Sequence, residues 1–184
     1  MGLPSMKMLA FDLGASSGKM FLGNFTGSKL SLDVIKRFEN RPVFLRNEIF
    51  WNILDIYNHL EEGISIALQK DGQIRSIGFD SFSNDFGFLD KDGYFINQVH
   101  CYRDERTYRN ADAIYARMPK EVMHKRSGNQ NALFGTLMQL ATMRLENQSY
   151  LLEGSGKMLF LPDLFSYFLT GEVNSEYTIS SVSQ

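Results

Sequence analysis

The sequence predicts an α/β fold built on a mixed sheet whose first three strands are antiparallel, with helices on the faces of the sheet. Two apolar runs, Met8–Leu13 and Lys19–Gly23, flank a short turn rich in glycine and serine, and the next run, Leu30–Ile35, mostly alternates apolar and polar residues. Such runs joined by short turns are typical of an antiparallel meander. A helical segment and another apolar run that ends in a carboxylate, Ile74–Asp80, follow. This order indicates a crossover that returns the chain to the same sheet.

The crossover helix is the clearest single element of the sequence. After a predicted loop at Glu39–Glu48, Asn52 is the expected N-cap because Asp55 follows three residues later, and Asp71-Gly72 is expected to end the helix. The apolar positions expected to share its buried face are Ile53, Ile56, Leu60, Ile64, Ala67 and Leu68. Beyond a hairpin turn at Asp90–Gly93 that joins Phe86–Leu89 to Tyr94–Ile96, the chain is predicted to be mainly helical, with a short strand at Met158–Leu161.

Composition narrows the class of protein. The chain has 184 residues, of which 43% are hydrophobic and 22% charged, which is ordinary for one globular domain. Its net charge of −2 gives no electrostatic reason to expect nucleic acid or an anionic membrane as a partner. The single cysteine, Cys101, cannot form an internal disulfide, and no apolar run is long enough to span a membrane. We therefore expect a cytoplasmic protein, with Cys101 as a buried or incidental thiol.

The turn between the first two runs carries the strongest functional signal. Gly14 and Gly18 can take positive φ and allow close approach of a ligand to the backbone, while Ser16, Ser17 and Lys19 supply hydroxyl and ammonium donors. Curled backbone N–H groups with such donors form a cradle for an anion, and phosphate is the natural guest. By itself, the turn slightly favours a hairpin that binds no ligand.

Asp12, at the end of the first run, suggests a metal. A carboxylate at the end of a buried strand is costly unless it is neutralised, which a nucleotide-borne Mg²⁺ would do. We expect Asp12 and Asp80 to lie at neighbouring strand ends on one cleft. A Walker A loop is excluded, because it has four residues between its glycines and Ser or Thr after its Lys, whereas here three residues separate Gly14 from Gly18 and Met20 follows Lys19.

Several spaced motifs resemble the FGGY family of carbohydrate kinases, and rhamnulokinases within it. They occur in the family's order along nearly the whole chain, at Asp12–Lys19, Phe38–Pro42, Ser76–Asp80, Tyr102–Asp104, Arg126–Gly128, Leu161–Asp163, Leu169–Gly171 and Glu176–Thr178. The resemblance implies a ribonuclease H-like, actin-type ATPase fold and the N-terminal one of two such domains. Residues 1–184 would then form one sugar-binding domain that is incomplete at its C-terminal end.

The same resemblance implies site residues. The nucleotide phosphates would contact Gly14, Ala15, Ser16, Ser17, Gly18 and Lys19, with Asp12 at the metal. Residues implied at the sugar are Ser83, Asp85, Arg103 and Asp104. Ser83 departs from the family, because relatives have glycine in the corresponding Asp-Thr-Trp-Gly-Val-Asp segment. A side chain there would narrow the sugar pocket.

Some of these positions have a second interpretation. Asp104 is equally suited to cap a helix, and a solvated helix face is the better explanation of Arg103, Arg106 and Arg109. The three histidines have no metal-ligand spacing. The role of Glu176 stays open.

The resemblance implies an ATP- and Mg²⁺-dependent kinase that phosphorylates a ketose such as L-rhamnulose. Its catalytic Asp is expected beyond Gln184, and most of the ATP site in a further domain of the same protein, so the 184-residue chain alone is expected to be inactive. Two other functions stay open at this stage: a phosphohydrolase with the same Asp–Gly–Ser loop, and a sugar- or nucleotide-binding module without turnover.

Overall fold

The computed structural model describes residues 5–183, and its strands and helices follow the order predicted for an α/β chain. The strands are β1 (Met6–Leu13), β2 (Ser17–Phe25), β3 (Leu30–Glu39), β4 (Val43–Leu45), β5 (Glu48–Phe50), β6 (Ile74–Ser81), β7 (Phe86–Leu89) and β8 (Lys157–Phe160). The helices are α1 (Ile53–Lys70), α2 (Arg106–Arg109), α3 (Ala111–Arg117), α4 (Lys120–Ser127), α5 (Thr136–Leu145), α6 (Ser149–Gly154), α7 (Leu161–Thr170) and α8 (Tyr177–Ser181).

The chain divides into two compact units. The first contains the residues up to Arg41 together with Asn52–Phe82, and the second contains Pro42–Trp51 and the residues from Ser83 onward. The first unit therefore holds β1–β3, α1 and β6, and the second holds the remaining elements. No helix in the described part of the chain is long and apolar enough to cross a membrane.

The first unit is a four-stranded mixed sheet in the order β3-β2-β1-β6. Strands β1, β2 and β3 are antiparallel to one another, as predicted, and β6 runs parallel to β1. A parallel neighbour requires a crossover connection, which α1 supplies. The fold class expected from the sequence is thereby confirmed.

Helix α1 covers one face of this sheet. Side chains of alternate sheet residues, such as Leu9, Phe11 and Met20, are buried, and so are Ile56 and Leu60 of α1. The helix begins after Asn52 and ends at Asp71, as predicted, although the Asn52 side chain forms no capping hydrogen bond. Leu68 was predicted to be buried and is instead 49% exposed, because it lies off the buried stripe, whose last members are Gly63 and Ala67.

The second unit is mainly helical, around two short strand pairs. Strand β4 pairs with β5, and β7 pairs with β8, both antiparallel. Phe86, Phe88, Met143 and Phe160 form one buried cluster. A second buried cluster brings together Ile114, Met123 and Met138 from α3, α4 and α5.

The short segments fit their predictions to different degrees. The predicted loop Glu39–Glu48 is wrong, because this segment contains the end of β3 and the β4–β5 hairpin. Strand β6, predicted as an apolar strand, is an edge strand whose residues 75–78 are exposed. The predicted hairpin turn after β7 is present, since the Asp90 N–H donates to the Tyr94 carbonyl (2.9 Å) and Leu89 forms an antiparallel bridge with Phe95.

Candidate active site

In the first unit, the turn between β1 and β2 presents the predicted phosphate-binding residues. The Gly14 N–H donates to the Ser17 carbonyl (3.0 Å), which closes the turn. The side chains of Ser16 and Ser17 are exposed, and Gly14 and Ala15 are half-buried. Within the described residues, no hydrogen bond engages the two serine hydroxyls or the Ala15 and Ser16 amides, so these donors are available to an anion.

Asn40, which the sequence analysis did not single out as a site residue, holds this turn in place. Its side-chain amide donates to the Gly14 carbonyl (2.9 Å), and its backbone N–H donates to the Ser16 carbonyl (3.0 Å). Asn40 is only 5% exposed. It follows β3 directly, and the ladder between β2 and β3 brings it beside the turn from a distance of 26 residues in sequence. The only signal in the sequence was its place in the Phe38–Pro42 motif.

The glycines of the turn are required for close packing and not for positive φ, which corrects the sequence argument. Neither Gly14 nor Gly18 is among the glycines with positive φ. A Cβ at Gly18 would overlap the Phe38 ring, and a Cβ at Gly14 would lie 2.9 Å from the Ser17 carbonyl oxygen. These contacts fix the turn against the neighbouring strand.

Asp12, Lys19 and Asp80 are brought together at the same end of the sheet. Asp12 is the register partner of Lys19 across the β1–β2 ladder and of Asp80 across the β1–β6 ladder. Directly paired residues point to the same face of a sheet. The prediction that Asp12 and Asp80 lie at neighbouring strand ends is confirmed.

The argument that burial forces Asp12 to bind a metal is wrong. The Asp12 side chain is 48% exposed, and Lys19 Nζ lies 3.8 Å from its Oδ2. Solvent and this ammonium already offset the carboxylate charge, so folding alone does not require an additional cation.

The donor set nevertheless suits Mg²⁺ carried by a nucleotide. No group of three or more His, Cys, Asp or Glu side chains in the described residues could hold a metal by itself. Mg²⁺ usually binds one or two carboxylates and completes its coordination with water and phosphate oxygens. Asp12, with Asp80 beside it, provides a carboxylate pair of that kind.

In the second unit, Asp85 is the centre of a buried polar network. Its Oδ2 accepts hydrogen bonds from Trp51 Nε1 (2.5 Å) and from the Tyr102 N–H (3.0 Å), and its Oδ1 accepts from Gln139 Nε2 (2.8 Å). Asp85 is fully buried. Burial raises the pKa of Asp85 to about 6, although these hydrogen bonds and the charge of Arg106 act in the opposite direction. The geometry supports a structural role for Asp85 in place of the direct sugar contact that was predicted.

Asp104 is a second buried carboxylate that organises backbone. Its Oδ1 accepts from the N–H of Arg106, the first residue of α2 (2.7 Å), and its Oδ2 accepts from the Ile49 N–H of β5 (2.6 Å). Asp104 is 2% exposed. Of the two interpretations that the sequence left open, this geometry favours the helix-capping one.

Arg106 does not lie on a solvated helix face. It is 2% exposed, and its guanidinium donates to Gln139 Oε1 (3.2 Å) and to Gln148 Oε1 (3.5 Å). Burial lowers the pKa of Arg106, while Asp104 and other nearby carboxylates raise it. Arg103 and Arg109 are exposed, as a solvated helix face requires.

Neighbouring titratable groups in this unit are kept neutral by burial. Burial lowers the pKa of His100 to about 3, with a further contribution from Arg106, and its Nε2 lies 2.7 Å from Glu48 Oε2. Burial also raises the pKa of the Cys101 thiol to about 12, so Cys101 is a buried, inert thiol, as expected.

An aromatic pocket lies beside the Asp85 network, with a cavity volume of about 540 Å³. It is lined by Tyr102, Arg103, Glu105, Tyr108 and Phe134. The Arg103 guanidinium lies 5.6 Å from the centroid of the Tyr102 ring. The pocket thus combines aromatic rings with one cationic and one anionic side chain.

The segment that contains Ser83 is held by helix α5. The carbonyl of Asn84, the next residue, accepts from Thr136 Oγ1 (3.0 Å) and Gln139 Nε2 (3.2 Å). Ser83 itself is half-buried.

Glu176, whose role the sequence left open, caps a helix. Its carboxylate accepts from the Ile179 N–H (2.9 Å) at the start of α8, and its own N–H is 3.3 Å from both oxygens of Asp163. A hydrogen bond from the Thr178 hydroxyl, together with those from the backbone N–H groups of Thr178 and Ile179, lowers the pKa of Glu176.

The first unit is thus an α/β sheet with two carboxylates and a Ser/Lys turn at one end, and comparison with known proteins gives the family. Residues 7–184 match the model of the FGGY family of carbohydrate kinases, N-terminal domain. The chain belongs to this family.

The most similar relatives include two rhamnulokinases. The chain is 38% identical to the rhamnulokinase of Bacteroides thetaiotaomicron over 175 residues, which are 95% of this chain and 36% of that protein. It is 33% identical to the rhamnulokinase of Oceanobacillus iheyensis over 176 residues, which are 96% of this chain and 37% of that protein. The chain thus spans little more than a third of the length of these relatives.

Solved structures with the same fold include two sugar kinases. A ligand-bound xylulose kinase from Lactobacillus acidophilus aligns with a TM-score of 0.82 at 14% identity, over 97% of this chain and 36% of that one. A gluconate kinase from the same organism aligns with a TM-score of 0.84 at 15% identity, over 98% of this chain and 36% of that one. At such identities the likeness establishes the fold, which is that of the carbohydrate kinases.

Proposed function

We propose that the intact protein is an ATP-dependent kinase that transfers the γ-phosphoryl group to a hydroxyl of a ketose such as L-rhamnulose. The observation that carries this proposal is the grouping of Asp12, Asp80 and Lys19 beside the free hydroxyls of Ser16 and Ser17. The family supports the reaction class, and the name of the rhamnulokinase relatives supports the substrate.

The turn between β1 and β2 would bind the nucleotide phosphates. Lys19 supplies one cation, and the Ser16 and Ser17 hydroxyls supply donors beside the backbone amides of the turn. Asp12 would hold Mg²⁺, which offsets phosphate charge when it is bound. Because Asn40 fixes two carbonyls of the turn, the donors are already oriented before a nucleotide arrives.

The aromatic pocket of the second unit would bind the sugar. The rings of Tyr102, Tyr108 and Phe134 offer apolar surface to the C–H faces of a sugar, while Arg103 and Glu105 offer hydrogen bonds to its hydroxyls. Asp85 and Asp104 would act as positioning residues, since their oxygens are occupied by protein donors. Ser83 would contact the sugar from the segment that α5 holds.

This chain would work together with a further domain of the same protein in a reducing compartment, which we propose to be the cytoplasm. The further domain is supported by the coverage of the relatives, because the chain aligns with only 36% of the first one. The reducing compartment is supported by the single cysteine, which is a buried free thiol. The catalytic base that takes the hydroxyl proton would come from outside residues 1–184.

The experiment is a substrate screen with the intact protein. Mg-ATP and a panel of ketoses that includes L-rhamnulose and D-xylulose are incubated with it, and sugar phosphate and ADP are quantified by ³¹P NMR. Stoichiometric ADP and sugar phosphate with one ketose preferred is the expected result. Release of inorganic phosphate without sugar phosphate would indicate a phosphohydrolase instead, and sugar binding without turnover would indicate a binding module.

A further inference from the structure

A second pocket lies apart from the proposed sugar site, among helices α3, α4 and α5. Its cavity volume is about 210 Å³. Its apolar lining consists of Ile114, Met118, Met123, Leu137, Ala141 and Leu145, and two arginines, Arg117 and Arg144, complete it. None of these residues lines the aromatic pocket, and none is assigned a part in phosphoryl transfer.

The charged side chains that line this pocket are both positive. Both arginines are exposed, and neither forms an ion pair or a hydrogen bond with any residue in the described range. No Asp or Glu belongs to the lining. The pocket therefore combines a floor without hydrogen-bonding groups and two uncompensated positive charges.

These properties select a class of ligand. A 150 Å³ apolar cavity can hold a benzene ring, and pockets for drug-sized ligands begin near 300 Å³, so about 210 Å³ suits a compact apolar body. A sugar would leave its hydroxyls unpaired against Leu137 and Met123. We propose that the pocket binds a small amphipathic carboxylate, whose apolar body fills the floor and whose anionic group pairs with Arg117 and Arg144.

The arginines also have a simpler possible role. Both lie in the last turn of their helices, α3 and α5, where a cation favours the helix dipole. A dipole role alone predicts that removing them lowers thermal stability and leaves ligand binding unchanged. Binding measurements therefore separate the two roles.

The test uses the intact protein labelled with ¹³C at its methionine methyl groups. Met118 and Met123 line the pocket and report on its occupancy, while Met8 and Met20 of the first unit are internal controls. Octanoate is titrated, with 1-octanol as a neutral analogue and acetate as an anion without an apolar body. We expect octanoate to shift the Met118 and Met123 methyl signals saturably, 1-octanol to bind about tenfold more weakly, and acetate to cause no shift.

Variants complete the test. We expect Arg117→Gln combined with Arg144→Gln to weaken octanoate about tenfold, and Ala141→Phe, which fills the pocket, to abolish the shifts. Arg126→Gln, an exposed arginine in the last turn of α4, is the matched control and should change nothing. Unresponsive Met118 and Met123 signals, equal binding by 1-octanol, or full affinity without both arginines would overturn the proposal.

Discussion

Asp12 combines a proposed function in turnover with a small contribution to folding. Its side chain is 48% exposed and its ion pair with Lys19 spans 3.8 Å, so replacing it changes an exposed interaction. We expect Asp12→Asn in the intact protein to reduce Mg²⁺-dependent turnover at least about a hundredfold, because one metal-binding charge is lost. The free energy of unfolding should change by less than about 1 kcal/mol.

The matched control for this variant is Asp33→Asn, an exposed strand carboxylate on β3. Steady-state kinetics over a Mg²⁺ series and urea unfolding are measured for both variants. Wild-type turnover in Asp12→Asn would remove Asp12 from the mechanism.

Ser83 stands where the sequence resemblance implies a glycine in the family. Its segment is held by hydrogen bonds from α5 to the Asn84 carbonyl, so a side chain at Ser83 cannot be moved aside by a shift of the backbone without breaking them. We expect Ser83→Gly to broaden ketose choice or to raise affinity for L-rhamnulose. Calorimetric titration of a ketose panel into both proteins measures this, and identical profiles would show that Ser83 does not contact the sugar.

The folding stability of the second unit depends on pH through the ionisation of Asp85. Burial raises the pKa of Asp85 from 3.8 to about 6, so the folded state prefers the protonated form. The stability that this preference contributes is fully present below about pH 4 and is lost as pH rises through 6, about 3 kcal/mol in total at 1.36 kcal/mol per pKa unit.

Asp85→Asn removes this titration and tests it. The unfolding free energy of the wild type minus that of the variant should therefore fall by about 2 kcal/mol from pH 4 to pH 7, because the rest of the effect lies below pH 4. Other titrating groups cancel in that difference. Urea unfolding at four pH values measures it, and a difference that does not change with pH would contradict the shifted pKa.

At the scale of elements, Asp104 connects β5 to α2. It accepts the backbone N–H groups of Ile49 and Arg106, which are 2.6 Å and 2.7 Å from its two oxygens. We expect Asp104→Ala to cost about 2–4 kcal/mol of unfolding free energy, because two donors in a buried setting lose their acceptor. The Ile49 and Arg106 amides should also exchange with deuterium faster than in wild type.

Asp112→Ala is the control for this effect. Asp112 is an exposed carboxylate in the first turn of α3, so its loss should cost at most about 1 kcal/mol. Unchanged amide exchange at Ile49 and Arg106 in Asp104→Ala would show that Asp104 does not hold β5 and α2 together.

Local patterns in the sequence predicted the long elements and failed for the short ones. The meander and α1 were predictable because their apolar and polar residues repeat over several periods of a strand or a helix. Strands β4 and β5 have three residues each, which is too short for such a repeat. The turn between these two strands begins with Arg46 at φ 56°, a conformation in which glycine or asparagine is the usual signal. The hairpin could not be recognised without that signal.

The surroundings of the site residues were harder to predict, because they depend on contacts between distant segments. Arg106 follows Asp104 and Glu105 in a charged run, and its burial depends on Gln139 and Gln148, which are 33 and 42 residues away. Asp85 is likewise enclosed by donors from three separate segments. Motif spacing located these residues but could not distinguish a group that binds a ligand from one that binds backbone.

At the scale of the whole molecule, the proposed kinase needs parts that the described residues do not contain. The chain covers about 36% of the first relative's length. The carboxylates implied at the sugar, Asp85 and Asp104, are buried and already accept protein N–H groups, so neither is free to take the proton of a sugar hydroxyl. Asp12 lies at the proposed phosphate site.

We therefore predict that the isolated 184-residue chain does not phosphorylate a ketose, although the intact protein does. In-line transfer needs a base at the acceptor hydroxyl and a surface that positions the nucleotide, and the turn at Gly14–Gly18 addresses only the phosphates. The purified chain is incubated with Mg-ATP and the ketose panel, beside the intact protein at equal concentration. Sugar phosphate well above the no-protein control, and abolished by Asp12→Asn, would prove that the chain carries its own base.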